Sequence, residues 1–164
     1  MFENLIECLE YWGERIAAEY KDTLQREGIN ASHKLSDSVK CLPVDVNGTI
    51  YEVSLQLEEY WKAIEEGRKP TENGGNGDLR RAILEWIRVK PVIPRPMENG
   101  KLPTEEQLAF LISRKIHREG YKGRQPLQRT IDELRDDILA DIKEAVEKDL
   151  SEEVIVMLRT IEIK

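Results

Sequence analysis

Hydrophobic positions follow two rhythms along this chain. Leu5, Leu9, Trp12, Ile16, Tyr20 and Leu24 recur at steps of three and four, with Glu7, Glu10, Glu14, Arg15, Lys21 and Asp22 between them. That spacing predicts an amphipathic helix of about six turns, ended by Gly28 in a C-cap role. A polar stretch follows from Asn30 to Asp37, where Ser32 or Ser36 is placed to cap a helical turn. The period then changes to two. Tyr51, Val53, Leu55 and Leu57 alternate with Glu52, Ser54 and Gln56, the pattern of a strand with one buried face. Val39 to Val46 is rich in β-branched residues, and Asn47-Gly48 between the two runs predicts a hairpin with a type I′ turn. Pro43 lacks an N–H and shifts the alternation, which marks a bulge or an edge strand.

The remaining elements are mostly helical. Leu57 to Glu66 reads as a short helix stopped by Gly67, followed by Arg68-Lys69-Pro70 and a flexible loop from Asn73 to Gly77. Leu79 to Val89 is a helix with Ile83, Trp86 and Ile87 on one face. Pro91, Pro94, Pro96 and Pro103 prevent regular structure from Lys90 to Pro103. Thr104 then caps a helix with the stripe Leu108, Leu111, Ile112 and Ile116, and Gly120 ends it. After a loop from Tyr121 to Pro126, Leu127 to Leu150 is a second long helix. Val154 to Leu158 and Ile161 to Ile163 read as a C-terminal strand, apolar on both faces and suited to the sheet centre. The predicted fold is α+β: an antiparallel sheet of the hairpin plus the C-terminal strand, packed against two long helices. It is expected to be a single domain, 1–164, with one core. Residues 68–126 form an inserted loop and helix segment used in assembly contacts.

Charge sharpens this picture. The chain carries a formal net charge of −7, which argues against wholesale nucleic-acid binding. Between Gly77 and Arg129, however, 12 basic residues face 6 acidic ones, leaving the rest of the chain at −13. A basic middle in an acidic chain fits either DNA or the acidic side of an identical neighbour. No apolar run reaches the roughly 18 residues of a membrane span. The first residues are acidic where a signal peptide would be basic, so the protein is expected in the cytoplasm or in something assembled there.

Candidate chemistry is sparse. Cys8 and Cys41 read as free thiols, and with His33 and His117 they offer no metal-ligand spacing. Asp149 with Glu162 and Lys164 has the outline of a metal nuclease, held at the end of a chain where frayed structure is common. Ser32, His33 and Asp37 crowd one polar turn without a nucleophile elbow, and Gly74 to Gly77 lacks the Lys-Ser/Thr of a phosphate loop. No catalytic, cofactor-binding or metal-binding residue is assigned, and no cofactor is expected.

Several stretches, taken in order, carry a resemblance. They are the first helix with its polar turn, the Asn47-Gly48 hairpin, and Tyr60-Trp61-Lys62-Ala63-Ile64-Glu65-Glu66-Gly67-Arg68-Lys69-Pro70. Trp86 to Lys90, Pro94-Arg95-Pro96, and Leu102-Pro103-Thr104 leading into Gln107 to Phe110 continue it. In this order the chain resembles the neck and tail-completion proteins of tailed bacteriophages, the minor tail components or head–tail connectors. It departs from them at Glu72 to Gly77 and in the helical insertion running to Gly120. The resemblance implies a structural virion subunit that forms a homo-oligomeric ring at the head–tail junction. Its implied partners are other copies of itself, portal or adaptor proteins, tail proteins and, transiently, packaged DNA, with no membrane involved. Rings need heterologous faces. The interface candidates are Trp61, Arg68, Lys69, Pro70, Trp86, Pro94, Arg95, Arg114 and Lys115.

Two other readings compete with this one. The first is a DNA-binding accessory protein using the basic 77–129 segment, with Arg80, Arg81, Arg88, Lys90, Arg114, Lys115 and Arg118 as its cations. The second, more remote, is the metal-dependent nuclease.

Overall fold

Two long antiparallel helices form the spine of the molecule. The structure, a computed structural model, describes residues 2–29, 33–71, 77–90, 92–98 and 100–162, with side chains described as far as Ile155. Helix α1 (Glu3–Arg26) ends as its sequence predicts. Gly28 takes φ +63°, its N–H donates to the Gln25 carbonyl, and the Ile29 N–H reaches back to the Leu24 carbonyl. That pair of bonds is a Schellman closure, and it brings Ile29 onto the buried cluster around Leu24. A short helix α2 (Lys34–Ser38) follows. Ser36 lies inside α2 and donates to the His33 carbonyl, so it does not cap the helix start. Ser32 falls outside the described residues.

The hairpin is present, with a bulge. Strands β1 (Lys40–Cys41) and β2 (Asp45–Asn47) run antiparallel to β3 (Ile50–Glu52) and β4 (Leu55–Gln56). Residues 42–44 lie opposite only 53–54, so the arm containing Pro43 holds the extra residue. The turn itself is Gly48-Thr49, because Asn47 pairs with Ile50. Gly48 has positive φ and Thr49 does not, which is the type II′ pattern and not the I′ turn expected. Gly13 of α1 lies under this hairpin: a Cβ there would sit 2.5 Å from Cys41 Sγ and 2.7 Å from Val53 Cγ1.

Helix α3 (Trp61–Glu66) leads into strand β5 (Gly67–Arg68), and α4 (Asp78–Val89) and α5 (Glu105–Glu119) follow. Helix α5 carries the predicted cap as a full capping box: Thr104 Oγ1 accepts the Gln107 N–H, and Gln107 Oε1 accepts the Thr104 N–H. Strand β6 (Tyr121–Lys122) pairs with β5, and α6 (Pro126–Glu162) completes the chain.

The α+β class holds, as helices combined with short antiparallel strand pairs. The C-terminal strand does not. Residues 154–162 continue α6, and among the described residues three two-stranded pairs stand where a sheet of three or more strands was expected. No Gly or Pro occurs after Pro126 to stop the helix, and extending a formed helix is far easier than nucleating a new element. Leu150 and Val154 already stand at helical spacing. Ile163 and Lys164 lie outside the described residues.

Among the described residues packing divides into two clusters where one core was expected. The first joins Ala17, Tyr20, Leu24, Leu35 and Val39 with Trp61, Ile64, Leu55, Leu57 and Leu127. The second joins Ile83, Ile87 and Ala109 with Leu79, Leu108, Ile112 and Ile116, and belongs to the α4–α5 hairpin. Helices α1 and α6 register through three cross-links. Asn4 meets Asp149, Trp12 Nε1 donates to Asp141 at 3.0 Å, and Thr23 meets Thr130 at 3.4 Å. Trp12 is buried, as its spacing predicts.

Candidate functional site

The α4–α5 arm leaves the body through a narrow neck. Gly67 pairs with Lys122 and Arg68 with Tyr121. Gly67 (φ +78°) and Gly120 (φ +66°) make the crossing possible, since a Cβ on the first would strike the Tyr121 carbonyl and on the second the Arg68 carbonyl. The neck is fastened on both sides. The Arg124 N–H donates to the Ile64 carbonyl at 2.9 Å, and the Thr71 N–H to the His117 carbonyl at 2.8 Å. Glu65, buried at the end of α3, accepts the Leu127 N–H at 2.7 Å and so caps α6 from outside its own helix.

A cleft of about 210 Å³ opens beside this neck, lined by Gly28, Ile29, Ala63, Ile64, Trp86, Lys90, Tyr121, Lys122 and Arg124. Lys90 Nζ donates to the Gly28 carbonyl at 2.9 Å and lies 5.9 Å from the Trp86 ring centre. It thereby holds the end of α4 to the end of α1. Burial pushes the Tyr121 hydroxyl pKa up, against the opposing charge of Arg68. Two aromatic rings and three cations thus share one opening.

A second groove, of about 320 Å³, lies on the arm and is lined by Arg80, Met97, Glu106, Gln107, Phe110 and Leu111. Its floor is apolar and open: Phe110 is 46% and Leu111 47% exposed. Leu102 and Ile93, on the same inserted segment, are also exposed. The predicted α5 stripe therefore needs correction at Leu111. The buried face of α5 centres on Ala109, packed against Ile83 and Ile87 of α4, and on buried Ser113, and this turns Phe110 and Leu111 outward. Arg80 lies over the Phe110 ring at 5.6 Å. Helical spacing sets Arg114 beside Phe110 and Lys115 beside Leu111.

The interface candidates scatter across these features. Trp61 is half-buried against the body cluster. Trp86 is exposed in the neck cleft and not in the arm's core, contrary to its predicted place on the Ile83–Ile87 face. Arg68 is held in the neck ladder, while Lys69 and Pro70 follow it on the surface. Pro94 is half-buried and Arg95 exposed in the arm's connecting loop. Arg114 and Lys115 are exposed on α5. Tyr121, Lys122, Arg124, Phe110 and Met97 complete the two openings and were not singled out by sequence.

Several cations proposed for DNA are already engaged. Arg88 pairs with Glu105 and Glu106, Arg81 with Asp78, and Lys115 and Arg118 with Glu119. The nuclease outline fares worse. Both oxygens of the buried Asp149 carboxylate accept hydrogen bonds from the start of α1. The segment carrying Glu162 is helix and not strand. Among the described residues no cluster of three His, Cys, Asp or Glu side chains is arranged to hold a metal, and no helix is long and apolar enough to cross a membrane. The loop 72–76 and Ser32 lie outside the described residues. Cys8 and Cys41 are free, half-buried thiols, and burial pushes both of their pKa values up. Compared with protein families, with curated proteins and with solved structures, the chain matches none of them.

Proposed function

We propose that this protein is a structural subunit whose work is to be built into a larger assembly, a homo-oligomeric ring at the head–tail junction of a tailed-bacteriophage virion. The observation that supports assembly is the outward apolar surface of the arm. Phe110, Leu111, Leu102 and Ile93 are 46%, 47%, 61% and 93% exposed, while the arm already buries Ile83, Ile87 and Ala109 in its own cluster. Apolar surface held open on the arm, Phe110 and Leu111 on α5 and Ile93 and Leu102 on the segment joining α4 to α5, is what a partner would cover. The virion setting rests on the resemblance of the sequence segments, with portal or adaptor and tail proteins as neighbours. The test is direct: particles are purified, the chain is sought in them by mass spectrometry, and its position is fixed by labelled imaging. A chain missing from purified particles rejects the reading.

The neck cleft favours a second reading, contact with nucleic acid. Trp86 and Tyr121 line the cleft with Lys122 and Arg124, and Lys90 sits over the Trp86 ring, a combination of aromatic and cationic groups suited to bases and phosphates. Binding of this kind weakens steeply with salt. A filter-binding titration with single- and double-stranded DNA decides it, and no retention at low salt removes it.

A further inference from the structure

The last turns of α6 run past the helix that packs against them. Asp149 meets Asn4 and Leu5 at the start of α1, so residues 150–162 extend beyond the α1–α6 pairing. On this overhang Leu150, Val154 and Ile155 are 48%, 53% and 49% exposed, next to exposed Glu152 and Glu153. At the other end of α6, past the neck, the arm carries the open groove of Met97, Phe110 and Leu111, with Arg80 over the ring and Arg114 one turn away. One surface is apolar with acidic flanks. The other is apolar, with Arg80 and Glu106 on its lining and Arg114 one turn away, so that cations outnumber the one carboxylate.

Both surfaces are open in the same chain, so they do not cover each other within it. Val154 stands about 42 Å from Pro126 along α6, whereas Phe110 is only about 15 Å from Gly120 along α5. The two therefore sit towards opposite ends of the molecule. Resting on the assembly reading above, we infer that the overhang of one copy docks in the arm groove of the next. Leu150, Val154 and Ile155 enter beside Phe110 and Leu111, and Glu152 faces Arg80 and Arg114. The mode is that of an amphipathic helix laid in a groove. Because the mating surfaces differ, the contact is heterologous. Each copy offers one donor face and one acceptor face, and repetition gives a closed ring or an open filament according to the angle.

The test uses two single variants of the full chain, Phe110→Glu in the groove and Val154→Glu on the overhang. Both positions are exposed, so each variant is expected to keep the circular dichroism spectrum and melting behaviour of the parent. Light scattering across a concentration series should show the parent growing beyond a dimer. Each variant alone should associate at least about tenfold more weakly, the scale of losing a central apolar anchor. The mixture discriminates best. Phe110→Glu keeps a working overhang and Val154→Glu keeps a working groove, so together they retain one joint and should stop at a dimer. A mixture that stays monomeric, variants that assemble like the parent, or a parent that stays monomeric at its highest soluble concentration overturns the joint. The assembly reading is decided separately, by whether the chain is found in purified particles.

Discussion

Asp149 and Asn4 are joined by two hydrogen bonds across the ends of α6 and α1: the Asn4 backbone N–H donates at 3.0 Å and its Nδ2 at 2.8 Å, both to Oδ1. The second carboxylate oxygen accepts the Leu5 N–H at 2.9 Å. One side chain thus satisfies two of the N–H groups that α1 leaves open at its start, from a helix 145 positions away. Replacing Asp149 with Ala strands those donors and should lower unfolding free energy by about 1–3 kcal/mol. Urea denaturation followed by circular dichroism measures the loss.

The same carboxylate gives the fold an acid-sensitive component. Burial opposes its ionisation, but the hydrogen bonds from Asn4 and Leu5 prevail and hold its pKa below the ordinary carboxylate range. A depressed folded pKa contributes stability that is complete above the unfolded value, near 4, and is lost as pH falls through the folded value. Stability measured from pH 7 downward should therefore fall more steeply in the parent than in Asp149→Asn, with the two curves converging in acid.

Gly67 and Gly120 are the positions where the neck admits no side chain. Each has positive φ, and each faces the backbone of the opposing segment. Backbone cannot swing aside as the tip of a long side chain can. Gly67→Ala or Gly120→Ala should cost on the order of 2–3 kcal/mol. Hydrogen exchange should show the Arg124 and Thr71 amides losing protection first, while amides inside α5 stay protected.

Gly13 presents the opposite balance of terms. In a helix interior Ala normally gains about 1 kcal/mol over Gly. Here the added methyl would press on Cys41 Sγ and Val53 Cγ1, short side chains fixed under the hairpin. Overpacking of this kind costs about 1–3 kcal/mol. Gly13→Ala should thus destabilise by about 1 kcal/mol, and a double-mutant cycle with Cys41→Ala should recover part of the loss.

Tyr20 is fully buried, and among the described residues its hydroxyl has no hydrogen-bond partner. Burial is the main reason its pKa is raised, with Glu65 nearby adding to the effect. A buried hydroxyl without a partner opposes folding. Tyr20→Phe should leave stability unchanged or raise it by up to about 1 kcal/mol, which thermal melts will show.

How far the fold could be read from residues depends on how local its causes are. The α1 stripe, its Schellman end at Gly28 and the Thr104–Gln107 box are all set within a few positions, and each was legible. The bulge at Pro43 was legible for the same reason. The α6 extension was obscured because Val154 to Leu158 satisfies both strand and buried-helix patterns, and the absence of any later stop signal carries more weight than β-branching. The neck could not be read at all. Gly67 and Gly120 each look like an ordinary helix stop, and nothing near either shows that their flanking residues pair. The caps supplied by Glu65 and Asp149 are hidden for the same reason, since a cap is sought just before a helix and not on another one. The arm groove was missed because Ala109 and Ser113 define the packed face of α5, and a search for large apolar residues passes over them.

The pairing of α1 with α6 also has a consequence for the order of events during synthesis. Thr23 and Thr130, which meet at 3.4 Å, are 107 positions apart, whereas Arg88 and Glu105 across the arm are 17 apart. Closing short spans is fast, and closing long ones is slow. As the ribosome extends the chain, the arm can form while the face of α1 that carries Trp12 and Thr23 still waits for α6 to emerge. Pulse-labelled amides should become protected in α4 and α5 before α1. Until then the growing chain depends on helper proteins or on speed to avoid sticking to its neighbours.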